Sequence, residues 1–187
     1  MESSTLNENT VNNYIFTPTN KNDLQTAVDL WCENRAEAQN IYGLISNWNT
    51  SLITDMSNLF LDKMYFNDNI NNWDVSSVTN MESMFDGAFE FNHLLNSWNV
   101  SSVTIMRAMF KGASSFNQPL NSWDVTSVED MGYMFKEASS FNQSLDEWDV
   151  SNVTNMECMF YRFYKLYSNT VFDQPLNKWN VSSVTNM

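Results

Sequence analysis

Side chains able to do covalent or metal chemistry are scarce in this sequence. There is one histidine, His93, with two cysteines, Cys32 and Cys158, and four glycines. A lone histidine cannot build a multi-histidine metal site, and it makes a Ser-His-Asp triad an unfavoured reading. The glycines form neither a G-x-G-x-x-G nor a Walker pattern, so no phosphate-cradling loop is expected. The cysteines make no C-x-x-C motif and read as free thiols. The expectation is a non-catalytic chain with no cofactor and no metal centre. Two groups of residues still carry recognisable chemistry. Asp74, Asp124 and Asp149 occupy equivalent places in a recurring pattern. On neighbouring strands such carboxylates repel one another and could recruit a hard cation such as Ca²⁺. Alternatively, each accepts hydrogen bonds from backbone N–H groups in the turn that follows it, and this is the favoured reading. The second group is Tyr161, Arg162, Tyr164, Lys165 and Tyr167, clustered in one short segment. Tyrosine and arginine are enriched at interface hot spots, which makes this segment the candidate contact surface.

The elements that must position these residues follow from periodicity. Trp48, Trp73, Trp98, Trp123 and Trp148 lie 25 residues apart, and Trp179 follows after 31. With tryptophan as position 1, position 3 is Val75, Val100, Val125, Val150 and Val181. Positions 12 and 13 are Met-Phe at 84–85, 109–110, 134–135 and 159–160. Position 19 is Phe66, Phe91, Phe116, Phe141 and Phe172. Such columns predict stacked structural units, each unable to bury its apolar side chains alone. Alternation of Trp123, Asp124 and Val125 predicts a short strand with positions 1 and 3 inward and position 2 outward. Met131, Met134, Phe135 and Ala138, at i, i+3, i+4 and i+7, predict a short helix. Position 20, Asn67, Asn92, Asn117, Asn142 and Asp173, reads as an internal ladder that satisfies turn backbone.

The string W-D-V-S-S-V-T-N-M-x-x-M-F-x-x-A-x-x-F-N-Q-P-L runs in phase through residues 48–187. It resembles the BspA-like family of leucine-rich-repeat surface proteins, also called the mycoplasma lipoprotein-associated repeat of unknown function. Leu120, Trp123 and Val125 match the L-x-x-L-x-L strand spacing of leucine-rich repeats. The leader from Asp23 to Ala38 is similar to the cap that precedes these repeats. The resemblance implies a right-handed α/β solenoid, a role in binding or adhesion, and no catalytic residues.

Three regions are expected. Residues 1–20 read as a flexible polar tail, closed by Tyr14, Ile15 and Phe16 against the cap. Residues 21–46 read as an N-terminal helical cap: one amphipathic helix over 21–42, started by Asn22 or Asp23 and ended by Gly43. Residues 47–187 read as the solenoid, with five units, a partial sixth and an insertion at 161–171. The insertion adds six residues between Phe160 and Phe172 and reads either as a binding loop or as a lengthened helix packed on the next unit. Lys63 replaces the alanine that position 16 holds in units two to four, which reads as a more exposed terminal helix. The sixth unit stops at position 9, Met187, so an open apolar end is expected, and with it possible self-association.

Charge and hydropathy set the partner classes. There are 22 acidic against 9 basic residues, a net charge of −13. Phosphate contacts need a basic patch, so direct nucleic-acid binding is disfavoured. No run of about 20 apolar residues exists, so no membrane span is expected. The N-terminus lacks the basic and apolar regions of a secretory signal, and the compartment stays open. A protein partner is the expectation.

Overall fold

The computed structural model describes residues 15–163 and 172–187. The chain enters through Phe16, which is buried and packs its ring 4.6 Å from Tyr42 and 5.3 Å from Trp48. Its carbonyl accepts from Asn49 N at 2.9 Å. The ordered structure therefore begins before residue 20, because Phe16 closes one edge of the core.

Two helices follow where one was expected. Helix α1 spans Lys21–Glu33 and helix α2 spans Arg35–Tyr42. The N-cap of α1 is Asn20, whose side chain accepts from Asp23 N. Asn34 makes the break: its N–H still reaches Leu30 O at 2.7 Å, while its side chain accepts from Glu37 N and caps α2. Asparagine tolerates this dual role because its short amide competes with the helical backbone. Gly43 ends α2 at φ 73°, as expected. A 3₁₀ turn, Ile45–Asn47, leads into the first unit.

Helix α1 covers the first unit through Leu24, Ala27, Val28 and Trp31, all buried. Ion pairs frame that seam: Lys21–Asp55 at 3.1 Å, Lys63–Asp29 at 2.6 Å and Arg35–Asp68 at 2.6 Å. Lys63 is thus a docking residue for the cap, not a mark of an exposed terminal helix. Asp68 also accepts from Trp31 Nε1 at 3.0 Å.

From residue 48 onward, each unit pairs with the next. Among the described residues, the units contain no helix and no strand longer than a single bridge. The anticipated helix at Met131–Ala138 is a run of hydrogen-bonded turns. Within it, Met134 N reaches Met131 O, Lys136 N reaches Tyr133 O and Ala138 N reaches Phe135 O. The alternate N–H groups point to the next unit: Tyr133 N meets Glu157 O at 2.7 Å and Phe135 N meets Met159 O at 2.9 Å. A helix would have spent those donors internally. Residues at positions 11 and 15 hold positive φ, as in Asn58 (60°), Ser83 (52°), Ala108 (54°), Tyr133 (60°) and Cys158 (51°), with Gly87 (73°) and Gly112 (69°). Positive φ at the third residue is the signature of a type II turn, which supplies the reversal. The turn chain keeps positions 9, 12 and 13 inward, so it imitates helical periodicity: Met131, Met134 and Phe135 are buried.

Inward and outward faces at positions 1 to 3 agree with the alternation. Trp123 and Val125 are buried, while Asp124 is exposed. The parallel pairing, however, sits at position 8, as bridges Asp55–Asn80, Asn80–Ile105, Ile105–Asp130, Asp130–Asn155 and Asn155–Asn186.

Four columns hold the stack. Phe60, Phe85, Phe110, Phe135 and Phe160 stack with centroids 5.3, 5.5, 5.6 and 5.8 Å apart. Each such contact contributes about 0.5–1.5 kcal/mol beyond area burial. Indole N–H groups of Trp98, Trp123, Trp148 and Trp179 donate to the carbonyls of Ile70, Leu95, Leu120 and Leu145. Asparagine Oδ1 atoms at position 20 accept the N–H of the same position one unit on: Asn67 from Asn92, Asn92 from Asn117, and Asn117 from Asn142, each at 3.0 Å, then Asn142 from Asp173 at 2.8 Å. A second amide ladder at position 24 joins Asn71 to Ser97, Asn121 to Glu147 and Asp146 to Lys178.

Candidate interaction surface

In the third to fifth units, positions 10, 11 and 14 of the turn ladder, with Phe163 at the start of the insertion, carry an unusual set of side chains. Arg107 lies with its guanidinium carbon 4.6 Å from the centre of the Tyr133 ring. It also sits 3.9 Å from Asp130 and 3.9 Å from Glu157. Gly132 makes room for it, since a Cβ there would stand 2.9 Å from Arg107 Nη1 and 2.8 Å from Asn155 Nδ2. Asp130 is held by Gly132 N and Asn155 Nδ2, both at 2.8 Å. The Tyr133 hydroxyl donates to Glu157, which raises the phenol's pKa, with desolvation and the Glu157 charge adding to the effect.

Lys136, one turn further, is surrounded by three rings. Its ammonium lies 5.1 Å from the centre of Tyr133, 5.3 Å from Tyr161 and 5.9 Å from Phe163. Tyr161 and Phe163 meet edge to face at 5.3 Å. Both remain open to solvent, 43% and 68% exposed. Phe163 N donates to Glu137, fixing the start of the insertion against the fourth unit. Cation–π contacts of this kind contribute about 0.5–1 kcal/mol each at exposed sites. They leave an ordered aromatic surface with charge embedded in it, the amphipathic chemistry typical of interface anchors.

Of the candidate contact residues, Tyr161 and Arg162 belong to this neighbourhood. Tyr164, Lys165 and Tyr167 lie outside the described residues. Asp74, Asp124 and Asp149 lie elsewhere, exposed at position 2. Each accepts from the residue two places on: Asp74 from Ser76 N (3.0 Å) and Oγ (2.6 Å), Asp124 from Thr126 N (3.1 Å) and Oγ1 (2.6 Å), Asp149 from Ser151 N (3.0 Å). Hydrogen bonds from Ser76 and Ser151 hold the Asp74 and Asp149 carboxyls below the usual carboxylate range. Of the two readings weighed for these carboxylates, the hydrogen-bond geometry is that of the local turn. Among the described residues, no group of three or more His, Cys, Asp or Glu side chains could hold a metal ion. His93 Nε2 lies 3.0 Å from Asn67 O, at the place where Gln118 meets Asn92 O in the next unit. Cys32 reaches the surface, yet partial burial pushes its thiol up to about 11 against the opposing pull of Lys63.

Arg107, Tyr133, Lys136, Glu157 and Phe163 escaped the sequence reading. For Tyr133 and Arg107 the signal was departure from the column. Position 11 is Asn58, Ser83, Ala108 or Cys158 in the other units, and only one unit places a large aromatic there, Tyr133. Position 10 carries arginine only at Arg107.

The geometry defines a class: 25-residue units stacked behind a helical cap, with a cationic and aromatic cluster on one face. The chain belongs to the family described as "Mycoplasma protein of unknown function, DUF285", whose model matches residues 32–136 and again 94–187. No curated protein and no solved structure is similar to it. Among the described residues, no helix is long and apolar enough to cross a membrane.

Proposed function

We propose that this chain is a right-handed solenoid of the BspA-like, leucine-rich type, in which chains of turns stand in for the expected strand and helix of each unit. In this reading it serves as a non-catalytic protein-interaction or adhesion module. The observation that carries the reading is the Lys136–Tyr161–Phe163 cluster: two large rings held in fixed orientation, yet 43% and 68% exposed. Ordered exposed aromatics are costly to leave facing water and gain most when a partner covers them. The partner expected is a protein with a neutral or basic face, given the net charge of −13.

The test is a pair of baits, the native chain and a Tyr161→Ala/Phe163→Ala double variant. Partners held by the native chain and lost by the variant support the reading. Equal capture by both baits, with the variant's melting unchanged, refutes it.

A second reading, self-association, draws on the apolar face shared by Met156, Met159, Phe160, Leu176, Trp179, Val181 and Met187. A light-scattering concentration series separates the two.

A further inference from the structure

A cleft of about 470 Å³ opens between the cap and the first unit, within the size range of small-ligand sites. The end of α1 and the start of α2 form one wall, and the turn from Asp62 to Phe66 forms the other. Tyr65 stands in it 76% exposed, next to Met64, which is also open to solvent. The column of Tyr65 holds Glu90, Ser115 and Ser140 in the following units, so the ring is peculiar to this cleft. Arg35, Lys63, Glu33 and Asp62 supply the charge. Arg35 is matched by Asp68 at 2.6 Å and Lys63 by Asp29 at 2.6 Å. Among the described residues, no lysine or arginine pairs with Glu33 or Asp62. Cys32, whose thiol is pushed up to about 11 by burial, adds no charge at neutral pH. The cleft thus combines an open phenol ring with two uncompensated carboxylates.

The same set of groups already holds an arginine elsewhere in the molecule. Tyr133, Asp130 and Glu157 surround Arg107, with its guanidinium carbon 4.6 Å from the ring centre and its nitrogens 3.9 Å from each carboxylate. A glycine makes room in both places: Gly132 for Arg107, and Gly87 for Asp62, whose Oδ1 would stand 2.6 Å from a Cβ there. We infer that the cleft between the cap and the first unit is a binding site for an arginine side chain carried by a partner protein. The Tyr65 ring offers the guanidinium a face, Glu33 and Asp62 accept its N–H groups from the two walls, and Met64 lies along its aliphatic stem. Arginine fits this set better than lysine, because a planar guanidinium stacks on a ring while it donates to two carboxylates.

Charge selects the partner twice. The net charge of −13 favours the approach of any basic surface. In about 0.15 M salt that field fades beyond roughly 8 Å, so the local carboxylates decide where an arginine settles. The inference stands apart from the Tyr161–Phe163 reading. A Tyr161→Ala/Phe163→Ala chain should still bind arginine here, so the two readings fail separately.

The test is a titration of the full chain, in about 0.15 M salt, with an end-blocked Gly-Gly-Arg-Gly-Gly peptide, followed through the methionine methyl resonances. The control peptide carries citrulline, a neutral group of nearly the same shape, in place of arginine. The Met64 methyl should shift saturably with the arginine peptide and stay in place with the citrulline one. Glu33→Gln/Asp62→Asn should weaken binding about fivefold or more, and Tyr65→Ala about twofold or more. Asp124→Asn/Asp149→Asn, which removes the same charge from a different face, should leave the affinity as it is. An unmoved Met64 methyl would overturn the inference, and so would an equal response to citrulline. Equal weakening by the two carboxylate pairs would also overturn it, since net charge alone would then account for the binding.

Discussion

Replacing Asn117 with alanine tests the amide ladder directly. The Asn117 Oδ1 accepts from Asn142 N at 3.0 Å and from Gln143 Nε2 at 2.9 Å. Its own N–H is held by Asn92 and would stay so. The substitution therefore strands one partly buried backbone donor and releases one side-chain amide to solvent. An unmet buried donor costs about 1–3 kcal/mol, and the Gln143 bond adds up to about 1 kcal/mol. A total near 2–3 kcal/mol corresponds to a fall in melting temperature of roughly 4–12 °C for a chain of this size. Asn117→Asp keeps an acceptor at the same place and should recover most of the loss. Thermal and urea melts followed by circular dichroism give the magnitude, and hydrogen exchange should show the Asn142 amide opening first. If Asn117→Ala melts within about 1 °C of the native chain, or if the aspartate variant is equally destabilised, the ladder is not a source of stability and the reasoning fails.

Three further outcomes are expected. Gly87→Ala should destabilise by about 1–2 kcal/mol from backbone strain at φ 73° alone. It should exceed Gly43→Ala, because its Cβ meets Asp62 Oδ1 at 2.6 Å whereas nothing lies within 4 Å at Gly43; comparative thermal melts decide. Asp68→Ala should loosen the cap by about 1–3 kcal/mol, since the indole N–H of buried Trp31 loses its acceptor. Asp68→Asn, which keeps an acceptor but not the Arg35 pair, should cost less, read from the tryptophan emission of Trp31 and its neighbour Trp48. For Asp74, hydrogen bonds from Ser76 depress the folded pKa. Its stabilising contribution is present above the unfolded value of about 3.9 and is lost as pH falls through the lower folded value. Asp74→Asn should therefore flatten the acid limb of a melting-temperature-against-pH curve, and an unchanged limb would remove that assignment.

The columns were legible because burial repeats with the sequence. Tryptophan, valine, methionine and phenylalanine positions named from spacing alone are buried in the second to fourth units, while in the last units Phe160, Phe172 and Trp179 are partly buried and Val181 is exposed. The position-20 ladder was legible too, since the column holds four asparagines and one aspartate, all with a side-chain acceptor oxygen. The turn chain was not, because positions 9, 12, 13 and 16 fit a helix and a ladder of type II turns equally well. What distinguishes them is positive φ at positions 11 and 15, and only Gly87 and Gly112 advertise it. Ala108, Tyr133 and Glu137 adopt it against their intrinsic preference, under the pull of the next unit's carbonyls. Cap docking was half visible: Lys63 stood out from its column, but its partner Asp29 lies 34 residues earlier on a separate helix. The Arg107–Tyr133–Lys136 cluster lay in ordinary-looking units, while attention fell on the insertion.

The ladders between units also shape how the molecule would bear load. The amide ladder at position 20 joins residues one unit apart, 25 in the regular units and 31 at the insertion. Drawn out from its two ends, the stack would give way like a zip, one tooth at a time. Each tooth would release roughly 80–90 Å of slack at 3.3–3.6 Å per residue. The cap, tied by Asp68 and Lys63, acts as the stop at one end of that zip. A module built this way can act as a graded tether, lengthening in fixed steps under tension while the remaining units stay folded.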